Sequence, residues 1–294
     1  MPLATLNRHL EERRKHIDGS IEEVIESYPW NVPALRDAVH YSVSGGKRLR
    51  SIIMLSVYNQ LSKSKDEPMA FAVGIEMIQA YSLVHDDLPC MDDDDYRRGR
   101  LSCHKRFGEA VALLCGDALL TMAFESMLSC KNVPQGRVLR AALEIAKAAG
   151  PCGMVGGQVL DLISEGQTGA CCNVPEMYKM KTGALFEGSA RVGAILAGAS
   201  CDTVDSAASW GRLFGYAYQI IDDIEDAGAG GKEETKNTLL KTLTVKQACC
   251  EARDALEAAS AIALGIGRQP RGQALIKDLS GLYLSNIEAI EKDF

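Results

Sequence analysis

Two aspartate-rich segments carry the residues best suited to chemistry in this chain. The first is Asp86-Asp87-Leu88-Pro89-Cys90-Met91-Asp92, continued by Asp93, Asp94 and Asp95; the second is Asp222-Asp223-Ile224-Glu225-Asp226. Each follows an apolar stretch of helical periodicity, Ile75 to Val84 and Leu213 to Ile221, that predicts a buried helix delivering its acidic end to the interior. Buried carboxylates in such number are costly unless cations neutralise them. Hard divalent ions such as Mg²⁺ take oxygen ligands, often one or two carboxylates together with substrate phosphates. A metal-bridged phosphate site built between helices is the chemistry this suggests.

Within the second segment, Asp222 and Asp226 stand four apart and share one helix face. A solvated helix end is the plain alternative, but the preceding Tyr216 to Ile221 reads as buried. In the first, Pro89 predicts that the helix ends or kinks near Leu88, so Asp92 can turn back towards Asp86. Asp93 to Asp95 suit an exposed acidic loop. An EF-hand is excluded, because no Gly occupies the sixth loop position after Asp92 and the twelfth is Cys103 rather than Glu.

Basic residues accompany the acids. Arg97 and Arg98 follow the first segment and can bind phosphate in a fork or balance the aspartates. Upstream, Gly45-Gly46-Lys47-Arg48-Leu49-Arg50 predicts a backbone open to an anion, with Lys47 and Arg50 on one face of a helix starting there. It is not a Walker loop. Lys181-Thr182-Gly183 interrupts an apolar helix predicted from Met177 to Leu196, and a Lys so placed usually meets an anion. Lys232 and Lys236 follow the second segment.

The elements that position these groups read as helix nearly throughout. Breaks at Pro29, Gly45-Gly46, Pro89, Pro134, Gly150-Pro151, Pro175, the glycines from 228 to 231, and Pro270 imply roughly ten helices in a single all-α bundle, its site between facing helices. The 47% hydrophobic content supports a sizeable core, and the net charge of -7 argues against a nucleic-acid surface. No signal peptide is expected from the charged N-terminus, and no uninterrupted apolar run reaches membrane-spanning length. The ten cysteines include no Cys-x-x-Cys, which predicts free thiols in a soluble, reducing, cytoplasmic setting.

The ordered set Gly45 to Arg50, the first aspartate motif with Arg97-Arg98, Gly156-Gly157-Gln158 with Asp161, Lys181-Thr182-Gly183, and Gln219 with Asp222 to Asp226 resembles the trans-isoprenyl diphosphate synthase (polyprenyl synthetase) family. The resemblance spans nearly the whole chain. It is closest to bacterial-type farnesyl diphosphate synthases, whose first motif has the same gap with Pro89. It implies the isoprenoid synthase type I fold, a single domain over residues 1–294 with a central active-site cavity, and a homodimer. The implied reaction is Mg²⁺-dependent condensation of isopentenyl diphosphate with dimethylallyl or geranyl diphosphate, by ionisation, condensation and elimination, to farnesyl diphosphate. About three Mg²⁺ ions are implied with diphosphate bound. Asp86, Asp92 and Asp222 are the implied principal ligands, with Asp87, Asp223 and Asp226 in support. Arg97, Lys181, Thr182, Gln219 and a lysine such as Lys232 are implied for the allylic diphosphate; Lys47, Arg50 and Arg98 for isopentenyl diphosphate. His85 and His104 read as structural.

Product length in the family follows the depth of an apolar pocket, floored about one turn before the first motif. Tyr81 and Ser82 occupy that turn. An aromatic at position 81 resembles the fifteen-carbon enzymes, although on an ideal helix it points roughly 140° from Asp86. Gln79 stands where the family has His and can still donate a hydrogen bond to isopentenyl diphosphate; Ser51 stands where Pro is usual; the loop after Asp226 is short. Alternatives are a geranylgeranyl diphosphate synthase, a non-catalytic partner subunit of a heteromeric synthase, and a class I terpene cyclase, which has no use for Lys47 and Arg50.

Overall fold

The computed structural model of the protein describes residues 2–165, 173–228, 238–267 and 275–293. Among these, thirteen α-helical segments, two of them only five residues long, accompany one two-stranded ribbon, so the all-α expectation is met. The chain forms two compact units, passing between them within α3 (Leu49–Leu61), between Lys65 and Asp66, and within α7 (Gln135–Ala149).

One unit comprises residues Pro2–Ile52 and Asp66–Ala142. It holds α1 (Leu3–Ser27), α2 (Pro33–Val43), α4 (Met69–Asp86), the short α5 (Cys103–Phe107) and α6 (Glu109–Leu128). Pro33 opens α2 at its first turn, where a missing N–H costs nothing. Helix α4 is buried from Phe71 to Ile78, so its sequence is apolar all round rather than striped. It lies hard against α6: a Cβ at Gly74 would stand 2.7 Å from Met127, and one at Gly116 would overlap the His85 ring. By length and composition α6 could cross a membrane, yet its Ala112, Cys115, Leu119 and Ala123 are buried in the core.

A buried ion cluster fixes the loop ahead of α3. Arg48, 4% exposed with φ of 55°, donates to Asp18 at 2.7 Å, Glu76 at 3.3 Å and the Val43 carbonyl at 2.6 Å. Removing such charges from water is expensive unless every donor is satisfied, and Arg48 meets three acceptors.

The other unit comprises residues Ile53–Lys65 and Leu143–Phe294. Its elements are α8 (Met154–Glu165), α9 (Val174–Tyr178), a π-helical turn (Lys179–Gly183), α10 (Ala184–Ala197), α11 (Cys201–Gly228), a 3₁₀ turn (Leu239–Lys241), α12 (Val245–Ala263) and α13 (Leu275–Asp293). Trp210 and Phe214 of α11 stack at 5.0 Å in its core, and the Trp210 indole N–H donates to Ser280 of α13 at 3.2 Å. The helix predicted unbroken from Met177 to Leu196 is instead interrupted by the π turn. Close packing accounts for it: a Cβ on Gly157 of α8 would stand 2.2 Å from the Lys181 backbone, and one on Gly215 of α11 would stand 2.9 Å from Gly183. π turns of this kind are frequent at functional sites.

Candidate active site

Helix α4 ends at Asp86, and the chain then curls tightly. The Leu88 N–H donates to His85 O at 3.2 Å, Asp93 N–H to Leu88 O at 3.2 Å, and Asp92 N–H to Asp86 O at 2.9 Å. Pro89 has no N–H to extend the helix, and the return bond brings Asp92 back beside Asp86 as its position predicts. Asp86 and Asp92 are both half-buried.

Asp87 and Arg97, given separate roles in the sequence reading, are joined. The buried Asp87 carboxylate accepts from Arg97 Nε at 2.9 Å and Nη2 at 2.5 Å, while Arg97 also reaches Asp94 at 3.2 Å. Burial pushes the Asp87 carboxyl above its ordinary pKa against the pull of Arg97. A hairpin pairing Tyr96 with Leu101 and Arg97 with Arg100 turns at Arg98 and Gly99, φ 54° and 72°.

Arg98 donates to the carbonyls of Gly45 at 2.9 Å and Ser44 at 3.2 Å. This explains the paired glycines. Gly46 has φ of 100°, and a Cβ there would stand 2.8 Å from Arg98 Nη2. The expectation that Lys47 and Arg50 share a helix face is corrected: α3 begins only at Leu49, because Arg48 takes a left-handed backbone to reach its buried partners. Lys47 is therefore exposed on the loop, and Arg50 lies in the first helical turn.

Gln79 buries a side-chain oxygen that has no hydrogen-bond partner; that atom accepts, so its NH₂ is the group able to donate to a diphosphate. Tyr81 is buried at 6% exposure and packs edge-on to His85 at 5.8 Å; burial and the nearby Asp86 push its hydroxyl up to about 12. Ser82 donates to Gln79 O at 3.0 Å. His85 is engaged with Leu113 O at 3.1 Å and His104 with Ser102 at 3.0 Å.

In the second unit, Asp222, Asp223 and Asp226 all lie on α11, with Asp222 half-buried and Asp226 exposed. Asp223 accepts from the Tyr178 hydroxyl and from Gln219 Nε2 at 2.8 Å. Burial lifts its carboxyl to about 6, aided by the charges of Asp222 and Asp226 and opposed by those two hydrogen bonds. Gln219 in turn accepts from Thr182 at 2.5 Å, and Lys181 pairs with Asp161 at 2.5 Å. The π turn thus presents Lys181 and Thr182 to α8 and α11 respectively. Tyr178, also bonded by the Leu239 N–H at 3.0 Å, was missed by sequence reading; its place three residues before Lys181 was the available signal. Lys232 and Lys236 lie outside the described residues.

Both clusters offer carboxylate oxygens only, the donor chemistry of a hard cation such as Mg²⁺. Where substrate phosphate and water complete the sphere, such an ion needs only one or two carboxylates from the protein.

The polyprenyl synthetase family model matches residues 32–260. The chain is 39% identical over 248 residues to the heterodimeric geranylgeranyl pyrophosphate synthase large subunit 1 of Arabidopsis thaliana, covering 82% of this chain and 67% of that protein. It is 39% identical over 230 residues to the farnesyl diphosphate synthase of Geobacillus stearothermophilus, covering 77% of each. Among solved structures, an FPP/GFPP synthase from Zymomonas mobilis superimposes with a TM-score of 0.85 at 31% identity, over 96% of this chain and 99% of that one. The family uses Mg²⁺ through its aspartate-rich motifs, and its substrates are isopentenyl diphosphate and allylic diphosphates. This chain belongs to the polyprenyl synthetase family and is a trans-prenyltransferase.

Proposed function

We propose that the protein makes farnesyl diphosphate, by adding isopentenyl diphosphate to dimethylallyl and then geranyl diphosphate. The observation that carries this reading is the buried Tyr81, five residues ahead of Asp86 on α4, which would serve as a bulky floor for a short product. Asp86, Asp92 and Asp222 are the principal Mg²⁺ ligands in this reading, with Asp87 and Asp226 in support. When bound, the metal supplies Lewis-acid neutralisation of the diphosphate charge. Arg97, Lys181, Thr182 and Gln219 hold the allylic diphosphate, while Lys47, Arg50, Arg98 and Gln79 hold isopentenyl diphosphate. These contacts align the allylic carbon with the attacking double bond, a gain in proximity and orientation. The condensation then loses one proton to the departing diphosphate, so no His or Ser nucleophile is required.

A geranylgeranyl product is the second reading, favoured by the likeness to the Arabidopsis large subunit. Incubating the purified chain with isopentenyl diphosphate, each allylic substrate and Mg²⁺, then sizing the products, separates the two. Turnover by this chain alone also rules out a silent partner subunit. We further propose a homodimer, because Leu113 and Leu114 of α6 are 48% and 58% exposed, and a second copy is the cover they suit. Sedimentation of the wild type against Leu113→Glu tests this.

A further inference from the structure

The loop after the first aspartate motif holds a group of residues that the prenyl-transfer chemistry does not use. Ligand atoms of Asp93, Asp95 and His104 all lie within 4.8 Å of one another, within a single unit of the fold. His104 is only 5% exposed, and its Nε2 is buried without a hydrogen-bond partner. That nitrogen stands 3.9 Å from Asp93 Oδ1, beyond hydrogen-bond reach. The other ring nitrogen, Nδ1, is 3.0 Å from the hydroxyl of Ser102, itself 1% exposed. The Ser102 N–H donates to the Asp95 carbonyl at 2.9 Å, so hydroxyl and loop are held together. With Nδ1–H given to Ser102, Nε2 presents a lone pair to the two carboxylates. A metal-binding histidine is commonly oriented through its second nitrogen in this way.

We propose that Asp93, Asp95 and His104 form a second metal site, distinct from the carboxylates of Asp86 and Asp92, for a borderline divalent cation such as Zn²⁺. One imidazole and two carboxylates suit zinc, cobalt or manganese, whereas Mg²⁺ prefers an all-oxygen shell. Three protein ligands leave a fourth tetrahedral position for water. The two carboxylates are about 60% exposed and can close the remaining distance by rotation. The Lys105 ammonium, 2.7 Å from Asp95 Oδ1, is the competing cation; an exposed pair of this kind contributes little. An ion here clips residue 93 to residue 104 and so braces the hairpin that carries Arg97 and Arg98.

The test uses the full chain, stripped with EDTA and titrated with Co²⁺ alone in excess Mg²⁺, followed by visible absorption and equilibrium dialysis. One equivalent of Co²⁺ with the spectrum of an imidazole ligand is expected, displaced by Zn²⁺ and retained in Asp86→Asn/Asp92→Asn. The exposed double variant Asp93→Asn/Asp95→Asn and the single His104→Gln should abolish it. Ser102→Ala should weaken it about tenfold through the lost ring orientation. Circular dichroism reports whether His104→Gln folds; if it does not, the exposed double variant decides. Absence of a bound equivalent, or an equivalent unmoved by Asp93→Asn/Asp95→Asn, overturns the proposal and leaves His104 and Asp93 as a long ion pair only.

Discussion

The backbone N–H of Asp92 donates to the carbonyl of Asp86 at 2.9 Å, so two acids six positions apart are tied through the main chain rather than through their side chains. Their placement thus survives a side-chain change. Asp92→Asn should therefore fold normally, within about 0.5 kcal/mol of the wild type by thermal melt. Its kcat should fall by on the order of a hundredfold or more, as when one preorganised electrostatic group is removed. A comparable loss of melting temperature would show that the carboxylate holds the fold instead. EDTA should abolish turnover of the wild type, with recovery on added Mg²⁺.

Arg97 both neutralises Asp87 and serves the diphosphate in our reading. Arg97→Ala leaves the carboxylate buried without its partner, and should cost about 2–3 kcal/mol in urea denaturation. Adding Asp87→Asn should restore part of that loss, because residues in contact are coupled. If the two substitutions simply add, the pair carries no structural weight.

Gly46→Ala places a methyl against the Arg98 guanidinium at a backbone φ of 100°. The expected stability loss is about 1 kcal/mol from the backbone alone. The displaced Arg98 should raise the KM for isopentenyl diphosphate roughly tenfold, equivalent to about 1.4 kcal/mol, with a smaller change for the allylic substrate. Equal shifts in both KM values argue against the assignment of Arg98.

Tyr81→Ala removes the bulky group five residues before Asp86. Products longer than fifteen carbons should appear on chromatographic sizing. Unchanged product length means that Tyr81 is not the floor.

Asp223 carries a carboxyl lifted to about 6 by burial, above the ordinary 3.8. A pKa raised by folding means the native state binds the proton more tightly than the unfolded chain. Its stabilising contribution is complete below about 3.8 and is lost as pH rises through about 6. In EDTA, wild type minus Asp223→Asn should lose on the order of 2 kcal/mol between pH 4 and pH 7. A flat difference across that range refutes the shift.

Much of this was legible in the chain. Pro89 announced the end of α4, and the spacing of Asp222 and Asp226 placed them on one helix. What escaped depended on distant partners. Arg48 reads as one more basic residue of its motif until Asp18 and Glu76 surround it, and its left-handed backbone then removes Lys47 from the helix. The π turn at Lys179–Gly183 arises where glycines of other helices press on the chain, a pressure that local periodicity does not register. Tyr178 drew no notice in the sequence because its partner, Asp223, stands 45 positions away.

That hydroxyl also receives the Leu239 N–H, so Asp223 of α11 and Leu239 of the 3₁₀ turn meet at a single phenol oxygen. One phenol therefore couples the 3₁₀ turn to α11, so a change at Tyr178 is felt in both elements at once.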